Sequence, residues 1–479
     1  MKTLFVTSEA APFVKTGGLA DVAGALPPAL HRKRAYPRVM LPLYASIAPE
    51  WREKMTFLFS VTVPLSWRNQ YCGVFELKHG GVTCYFLDNE YYFGRREIYG
   101  SFDDAERFAF LSRAVFEVLP KLGYIPDLIH ANDWQTALVP LYLAELREQH
   151  SAFRDIKTVF TVHNIEYQGR YSPALLGDIF GLSDRWLRDG TLVYQNDICL
   201  VKGALLASDY VTTVSPTYAG ELRYAYFAKG LEGVISLISG KFKGILNGID
   251  TEYYNPETDP ALPARYTEKS LHRKKSNKTA FQRDFGLRED AETPLIAIIS
   301  RLVPHKGISL VTATFREILA TGAQFVVLGS GDFSYEQFFT RMRDEHPGQV
   351  AAHIGFSADL ASKLYAAADF LLMPSQTEPC GLSQMIAMRY GTLPIVRETG
   401  GLLDTVVPVD LETGEGNGFR FTNYNAHEML YAVEAAVGLY RNDPNLYRRF
   451  QRNAMGEDFS FDKSAGEYRA LYAELTGKR

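Results

Sequence analysis

A lysine beside two adjacent glycines, Lys15-Thr16-Gly17-Gly18, is followed by Asp21 and stands between the apolar run Leu4-Phe5-Val6-Thr7 and the apolar-spaced Val22, Ala23 and Leu26. This reads as a strand, a glycine turn and a helix start. Adjacent glycines let the backbone approach a ligand closely, and a helix N-terminus offers unpaired N–H groups and partial positive charge, so phosphate is the natural guest. The spacing matches neither the dinucleotide fingerprint nor the phosphate loop of nucleotide hydrolases, so the residues alone give an anion site or a plain glycine turn. Arg301 and Lys306-Gly307 follow the apolar run 295–300. Two cations ahead of a helix suit a diphosphate, with a solvated surface pair as the alternative.

Glu378-Pro379-Cys380-Gly381-Leu382-Ser383-Gln384 sets a carboxylate on a proline-stiffened loop, with Gly381 to Ser383 at a helix start. A carboxylate and a phosphate cradle within six residues would place a sugar beside its leaving group. Cys380 has no histidine adjoining it in sequence, so it reads as a packing or contact residue rather than a nucleophile. Asn132-Asp133-Trp134 and His163-Asn164 each end an apolar run, where a ligand would lie, although a lone histidine is as readily structural. Asn247-Gly248-Ile249-Asp250 reads as a turn entering a linker. The histidines are scattered and no Asp-x-Asp closes a strand, so no metal is expected; Lys15, Arg301 and Lys306 could neutralise a leaving phosphate instead.

Strands ending in these loops are predicted near 3–8, 38–42, 82–87, 127–131, 157–162 and 210–214, then near 295–300, 323–328, 350–354, 369–373 and 393–397. Helical patterns alternate with them, among them Ile308 to Ala320. Such alternation means parallel sheets with crossover helices, and ligands in these sheets bind beyond the carboxyl ends of the strands. Pro256, Pro260, Pro263 and the charged stretch Lys269 to Lys278 interrupt the pattern and predict a linker into a second domain. The expectation is an α/β chain of two doubly wound Rossmann-like domains facing each other across a deep cleft. One domain spans residues 1–246 and the other 247–457. A final helix within 458–479, with Ser460 as N-cap, packs Tyr468, Leu471, Tyr472 and Leu475 back on the first domain.

With 479 residues, two domains are the default, and 46% hydrophobic with 22% charged residues is ordinary for a soluble enzyme. A formal net charge of -4 argues against nucleic acid or an acidic membrane surface as partner. Cys72, Cys84, Cys199 and Cys380 form no metal or redox motif, and no apolar run is long enough to span a membrane, so a cytoplasmic location is expected.

In their order these segments resemble the bacterial glycogen synthase and plant starch synthase family. The resemblance begins at Val6-Thr7-Ser8-Glu9 and, besides Lys15 to Asp21, runs through Phe160-Thr161-Val162-His163-Asn164, Val214-Ser215-Pro216-Thr217-Tyr218, Gly230-Leu231-Glu232-Gly233 and Leu246 to Asp250. It continues through Ser300-Arg301-Leu302, Pro374-Ser375, Glu378 to Leu382 and Thr399-Gly400-Gly401-Leu402. It implies a GT-B glucosyltransferase that transfers glucose from ADP-glucose to the non-reducing end of an α-1,4-glucan, glycogen or starch, with retention and without a metal or other cofactor. Lys15, Arg301 and Lys306 would then contact the donor phosphates, with Gly18 adding a backbone N–H. Asp133 and His163 would hold the glucosyl ring from one domain, and Glu378, Cys380 and Gly381 from the other. Leu382, Ser383 and Thr399 would lie near the nucleotide or its phosphates, and Phe356 near the adenine. Gly17, Asp21, Asn164 and Asn247 complete the expected substrate-binding set.

The chain departs from the family pattern at Ala131-Asn132-Asp133-Trp134-Gln135, where His-x-Asp-Trp or His-Asp-Trp-His is usual, at Ser383 for Thr, at Phe356 for Tyr and at Phe461 for Trp. Phe356 keeps a stacking face and loses a polar tip, which bears on base selectivity. A glucosyltransferase of the same scaffold with a small sugar acceptor, and a non-catalytic glucan-binding protein, are the competing readings.

Overall fold

Runs such as Leu4-Phe5-Val6 and Leu295-Ile296-Ala297 are apolar throughout because both faces of their strands are covered; each of these residues is at most 1% exposed. The structure, a computed structural model, describes residues 1–478. Over these residues the chain divides into two compact units: residues 1–248 with the segment from Phe461 onward, and residues 249–460.

The first unit contains β1 (Thr3–Val6), β2 (Pro37–Pro42), β3 (Thr56–Leu65), β4 (Arg68–His79), β5 (Val82–Asp88), β6 (Leu128–Asn132) and β7 (Lys157–Val162). It adds the short β8 (Arg170–Tyr171), β9 (Val193–Tyr194) and β10 (Asp197–Cys199), then β11 (Tyr210–Thr213) and β12 (Phe242–Gly244). Nine of these make one sheet in the order β12-β11-β7-β6-β1-β2-β5-β4-β3. Its ladders are parallel except where β4 runs antiparallel to β3 and β5. From β1 the chain builds outward first through β2 and later through β6, so the carboxyl ends of β1 and β6 flank a topological switch point, where such sheets bind ligands.

The second unit holds β13 (Leu295–Ile299), β14 (Gln324–Gly329), β15 (Val350–Ile354), β16 (Phe370–Met373), β17 (Leu393–Arg397) and β18 (Phe419–Phe421). They form one parallel sheet in the order β15-β14-β13-β16-β17-β18, which sets its switch point between β13 and β16. Both units are thus α/β with Rossmann-like sheets.

The structure corrects several expectations. The long hairpin β3–β4 was not predicted, nor were the small sheet β8-β10-β9 and the three-residue edge strands β12 and β18. The helix expected over Ile308 to Ala320 is two, Ile308–Ala313 and Phe315–Ala320, divided at Thr314. Thr314 is 2% exposed and its hydroxyl bonds the Leu310 carbonyl, a local side-chain bond that competes with the helical ladder.

The charged stretch Lys269 to Lys278 is no solvated linker. It lies within the second unit and enters the helix Lys274–Asp284, with Lys274 and Lys278 at 5% and 2% exposure. Lys274 Nζ donates to the carbonyls of Tyr365 and Ala366 and to the Thr392 hydroxyl, at 2.8–2.9 Å. Lys278 is paired with Asp369 at 2.6 Å. A buried ammonium stays only with such partners, which the sequence places about ninety residues or more away.

The final helix, Phe461–Thr476, belongs to the first unit and buries Phe461, Tyr468, Leu471 and Tyr472. Each such side chain contributes about 1.5–3 kcal/mol when withdrawn from water. A hydrogen-bond relay directs the docking. The Tyr472 hydroxyl meets His130 Nδ1 at 2.6 Å, His130 Nε2 meets Thr161 Oγ1 at 2.5 Å, Thr161 meets Thr212 at 2.6 Å, and Thr212 meets the Tyr468 hydroxyl at 3.3 Å. Burial lowers the His130 pKa to about 3, so its ring is neutral and serves the relay as one donor and one acceptor.

Candidate functional site

In the second unit, the loops leaving β13 and β16 meet at the switch point. Lys306 closes a short turn after β13, and its Nζ lies 2.8 Å and 2.6 Å from the two carboxylate oxygens of Glu378, which follows β16. The Ser375 hydroxyl donates to Glu378 Oε2 at 2.9 Å, and Glu378 is 6% exposed. Both oxygens of the carboxylate are therefore engaged. The pairing depends on glycine: Gly307 has φ 74°, and a Cβ there would stand 1.9 Å from the Pro374 carbonyl oxygen. The two loops touch backbone to backbone.

The Glu378 loop is seated the same way on its other side. A Cβ on Gly401 would stand 2.1 Å from the Cys380 carbonyl oxygen, and the Gly401 N–H bonds the Glu378 carbonyl at 3.2 Å. Gln384, fully buried, donates to the Cys380 and Gly381 carbonyls at 3.1 and 2.9 Å and to Thr405 Oγ1. Cys380 is a packed residue at 5% exposure, and Ser383 begins the helix Ser383–Arg389 after Leu382. Arg301 is exposed on the loop after β13, whose path is set by the Leu302–Gly331 bridge. Thr399 lies fully buried ahead of Gly400, so no face of its side chain is open to solvent. Phe356 follows β15, the edge strand, and is 72% exposed.

In the first unit, Asp133, His163 and Asn164 gather at the ends of β6 and β7. Asp133 holds φ 57° and ψ 179°, a region nearly reserved for glycine, so its backbone is strained. The Asp133 N–H bonds the Thr161 carbonyl at 2.9 Å, and its Oδ1 accepts the His163 and Asn164 N–H groups at 2.7 and 3.4 Å. Burial pushes the Asp133 carboxyl up to about 7, against the pull of those N–H groups and with help from Glu9. His163 Nε2 lies 3.0 Å from Asn132 Oδ1. Asn132 Nδ2 donates to the Val6 carbonyl, which turns the amide oxygen toward His163 and places the ring hydrogen on Nε2. Burial lowers the His163 pKa to about 3, so it is a neutral, oriented ring rather than a cation.

Lys15 Nζ pairs with Asp21 at 2.6 Å on an exposed tip that precedes the helix Gly18–Arg32. The lysine assigned to the phosphates thus carries a carboxylate partner from the same candidate set. Gly17 has extended backbone at φ −159°, and a Cβ on it would meet nothing within 4 Å, so the fold itself does not demand glycine there. Asn247 is 5% exposed, held by its N–H on the Val214 carbonyl at 3.2 Å, and stands apart from the Asp133 group in sequence and hydrogen bonding.

Sequence reasoning met Ser375, Asn132 and Glu9 only as members of motifs and gave none of them a role of its own. Glu9 is 3% exposed, and its Oε2 accepts both the N–H and the hydroxyl of Thr16, at 2.6 and 2.9 Å. The signal was present: an acid inside the apolar stretch Phe5 to Ala11 needs a buried partner. Among the described residues, no three His, Cys, Asp or Glu side chains are grouped to hold a metal ion, and no helix is long and apolar enough to cross a membrane.

Comparison with known proteins places this arrangement. A family model described as starch synthase catalytic domain matches residues 2–237, and one described as glycosyl transferases group 1 matches residues 281–456. The chain is 50% identical to glycogen synthases of Geobacillus thermodenitrificans and Geobacillus stearothermophilus, over 100% of its own length and 98% of theirs. It is similar to the catalytic domain of starch synthase IV from Arabidopsis thaliana, bound to ADP and acarbose, with a TM-score of 0.94, 36% identity and 99% of each chain covered. A sucrose-phosphate synthase from Thermosynechococcus elongatus, at 18% identity and TM-score 0.62 with 99% of each chain covered, shares the fold. With two Rossmann-like units, a lysine–glutamate pair at the second switch point and full-length identity of this degree, the chain belongs to the glycogen synthase and starch synthase family of glycosyltransferases.

Proposed function

We propose that the chain transfers glucose from ADP-glucose to the non-reducing end of an α-1,4-glucan with retention of configuration. The observation that carries the reading is the Lys306–Glu378 pair at 2.6–2.8 Å, a cation and a carboxylate where a diphosphate and the adjoining sugar carbon would lie. Arg301, Lys306 and Lys15 take the donor phosphates, and the backbone of Gly17 and Gly18 approaches them. The proposed reaction uses no metal: Arg301 brings its charge to the phosphates, and Lys15 and Lys306 donate to them beside their partners Asp21 and Glu378.

The bond from the anomeric carbon to the diphosphate oxygen breaks, leaving positive charge on the sugar. The glucan 4-hydroxyl oxygen forms its bond on the same face, and its proton passes to the departing phosphate. Glu378, Asp133 and the neutral His163 ring are assigned to stabilising that charge and orienting the sugar, with Asn164, Cys380 and Gly381. A carboxylate engaged through both oxygens is suited to electrostatic stabilisation rather than attack on carbon. Phe356 offers its open face to the adenine, while Leu382, Ser383 and the backbone at Thr399 lie toward the nucleotide. The four cysteines are free and buried, which suits a reducing cytoplasm.

The test is release of ADP from ADP-glucose with glycogen as acceptor and EDTA present, against UDP-glucose and against small sugars. Glycogen-dependent ADP release that survives EDTA is expected. Transfer only to a small sugar would favour the other glucosyltransferase reading, and no release would leave glucan binding alone.

A further inference from the structure

The tip that carries Lys15 is exposed, whereas what holds it lies inside. On either side the chain is pinned by backbone bonds: Val14 N–H to the Ala10 carbonyl at 3.0 Å and Ala11 N–H to the Ala20 carbonyl at 2.9 Å. Between these pins, Thr16 reaches inward and gives both its donors to Glu9 Oε2. Glu9 is itself anchored. Its carbonyl accepts the Thr7 hydroxyl at 2.8 Å, and the neighbouring Ser8 Oγ lies 2.8 Å from the Tyr99 hydroxyl. Burying a carboxylate this deeply is costly without a return, and burial pushes its pKa up to about 7.

We propose that Glu9 is a positioning residue for glucosyl transfer: by holding Thr16 through two hydrogen bonds, it sets where the neighbouring Lys15 stands. The inference rests on Lys15 as a ligand of the donor phosphates. A displacement of about 1 Å at a charge facing the leaving group costs on the order of a hundredfold in turnover, so a buried residue that never touches the donor governs the rate through the loop.

The test is a cycle of Glu9→Ala and Lys15→Gln, read as kcat and KM for ADP-glucose. Glu9→Ala is expected to lower kcat about a hundredfold with KM within about threefold. Added to Lys15→Gln, it should cost no more than about threefold further, because both changes remove the same contact. An enzyme that was merely less folded would lose the same factor in both backgrounds. Glu9→Gln keeps an oxygen that can accept from Thr16, so its kcat should return to within about tenfold of wild type. Multiplying effects, or a Glu9→Gln as poor as Glu9→Ala, would overturn the proposal.

Should Glu9→Ala fail to fold, Thr16→Val decides, since Thr16 is exposed and loses only its hydroxyl bond. A kcat about three- to tenfold lower supports the role, the loss expected for one hydrogen bond, and an unchanged kcat overturns it. A wild type that releases no ADP would overturn the functional reading and this inference together. An active wild type with a fully active Glu9→Ala would overturn the role of Glu9 alone.

Discussion

Glu378 is a buried charge that the partly exposed Lys306 makes tolerable. Removing one partner of such a pair typically costs about 3–5 kcal/mol, because the remaining charge has lost its compensation. Lys306→Gln should therefore lower both thermal stability and kcat, the latter about a hundred- to a thousandfold. The double variant Lys306→Gln/Glu378→Gln should recover most of the stability and none of the activity, by thermal melting and ADP release side by side. Asp133 makes a different prediction. Its folded-state pKa of about 7 lies above that of an unfolded aspartate, so the folded chain binds the proton more tightly. That contribution is complete at acid pH and is lost as pH rises through 7. Melting midpoints measured from pH 5 to 8 should fall less steeply for Asp133→Asn than for wild type, and equal slopes would refute the assignment. These pairings were only half legible in the sequence. Lys306 and Glu378 announced themselves by following apolar runs, but nothing in the chain order joined Ser375 to Glu378 or Thr16 to Glu9.

At the level of elements, the second switch point is built from two loops in backbone contact. Gly307→Ala would thrust a Cβ to within 1.9 Å of the Pro374 carbonyl in a left-handed conformation that alanine adopts poorly. The loops must separate, and kcat should fall at least about tenfold, because the Lys306–Glu378 geometry cannot survive a shift of that size. Wild-type kcat in this variant would show that the contact is not needed. Strands such as β13 and β16 were legible because their residues are apolar on both faces. β3 and β4 were not, since β3 is an edge strand with Thr56, Phe57, Leu58 and Ser60 all exposed and a register shift between Phe57 and Phe59. Phe59, Val61, Val63 and Leu65 alternate with Ser60, Thr62 and Pro64, but the exposed Phe57 and Leu58 ahead of them break the period. Lys274 and Lys278 misled for the opposite reason: their charge signals solvent, and only tertiary partners reverse it.

For the molecule as a whole, residues 249–460 are continuous, whereas the first unit is assembled from both flanks of that segment. The points where the chain enters and leaves the segment lie side by side, with the Ile249 N–H on the Phe459 carbonyl at 2.7 Å. Expressed alone, 249–460 should melt cooperatively, whereas residues 1–248 without the final helix should expose the sheet face under Tyr468 and Tyr472 and bind a hydrophobic dye. The doubly wound class was legible in the alternation of strands and helices; the relay through His130 was not, since its members are up to 342 residues apart. The position of that final helix also governs the order of events at the ribosome. The unit whose translation begins first cannot close its sheet face until Phe461–Thr476 has emerged, whereas every residue of the inserted unit is already synthesised by then.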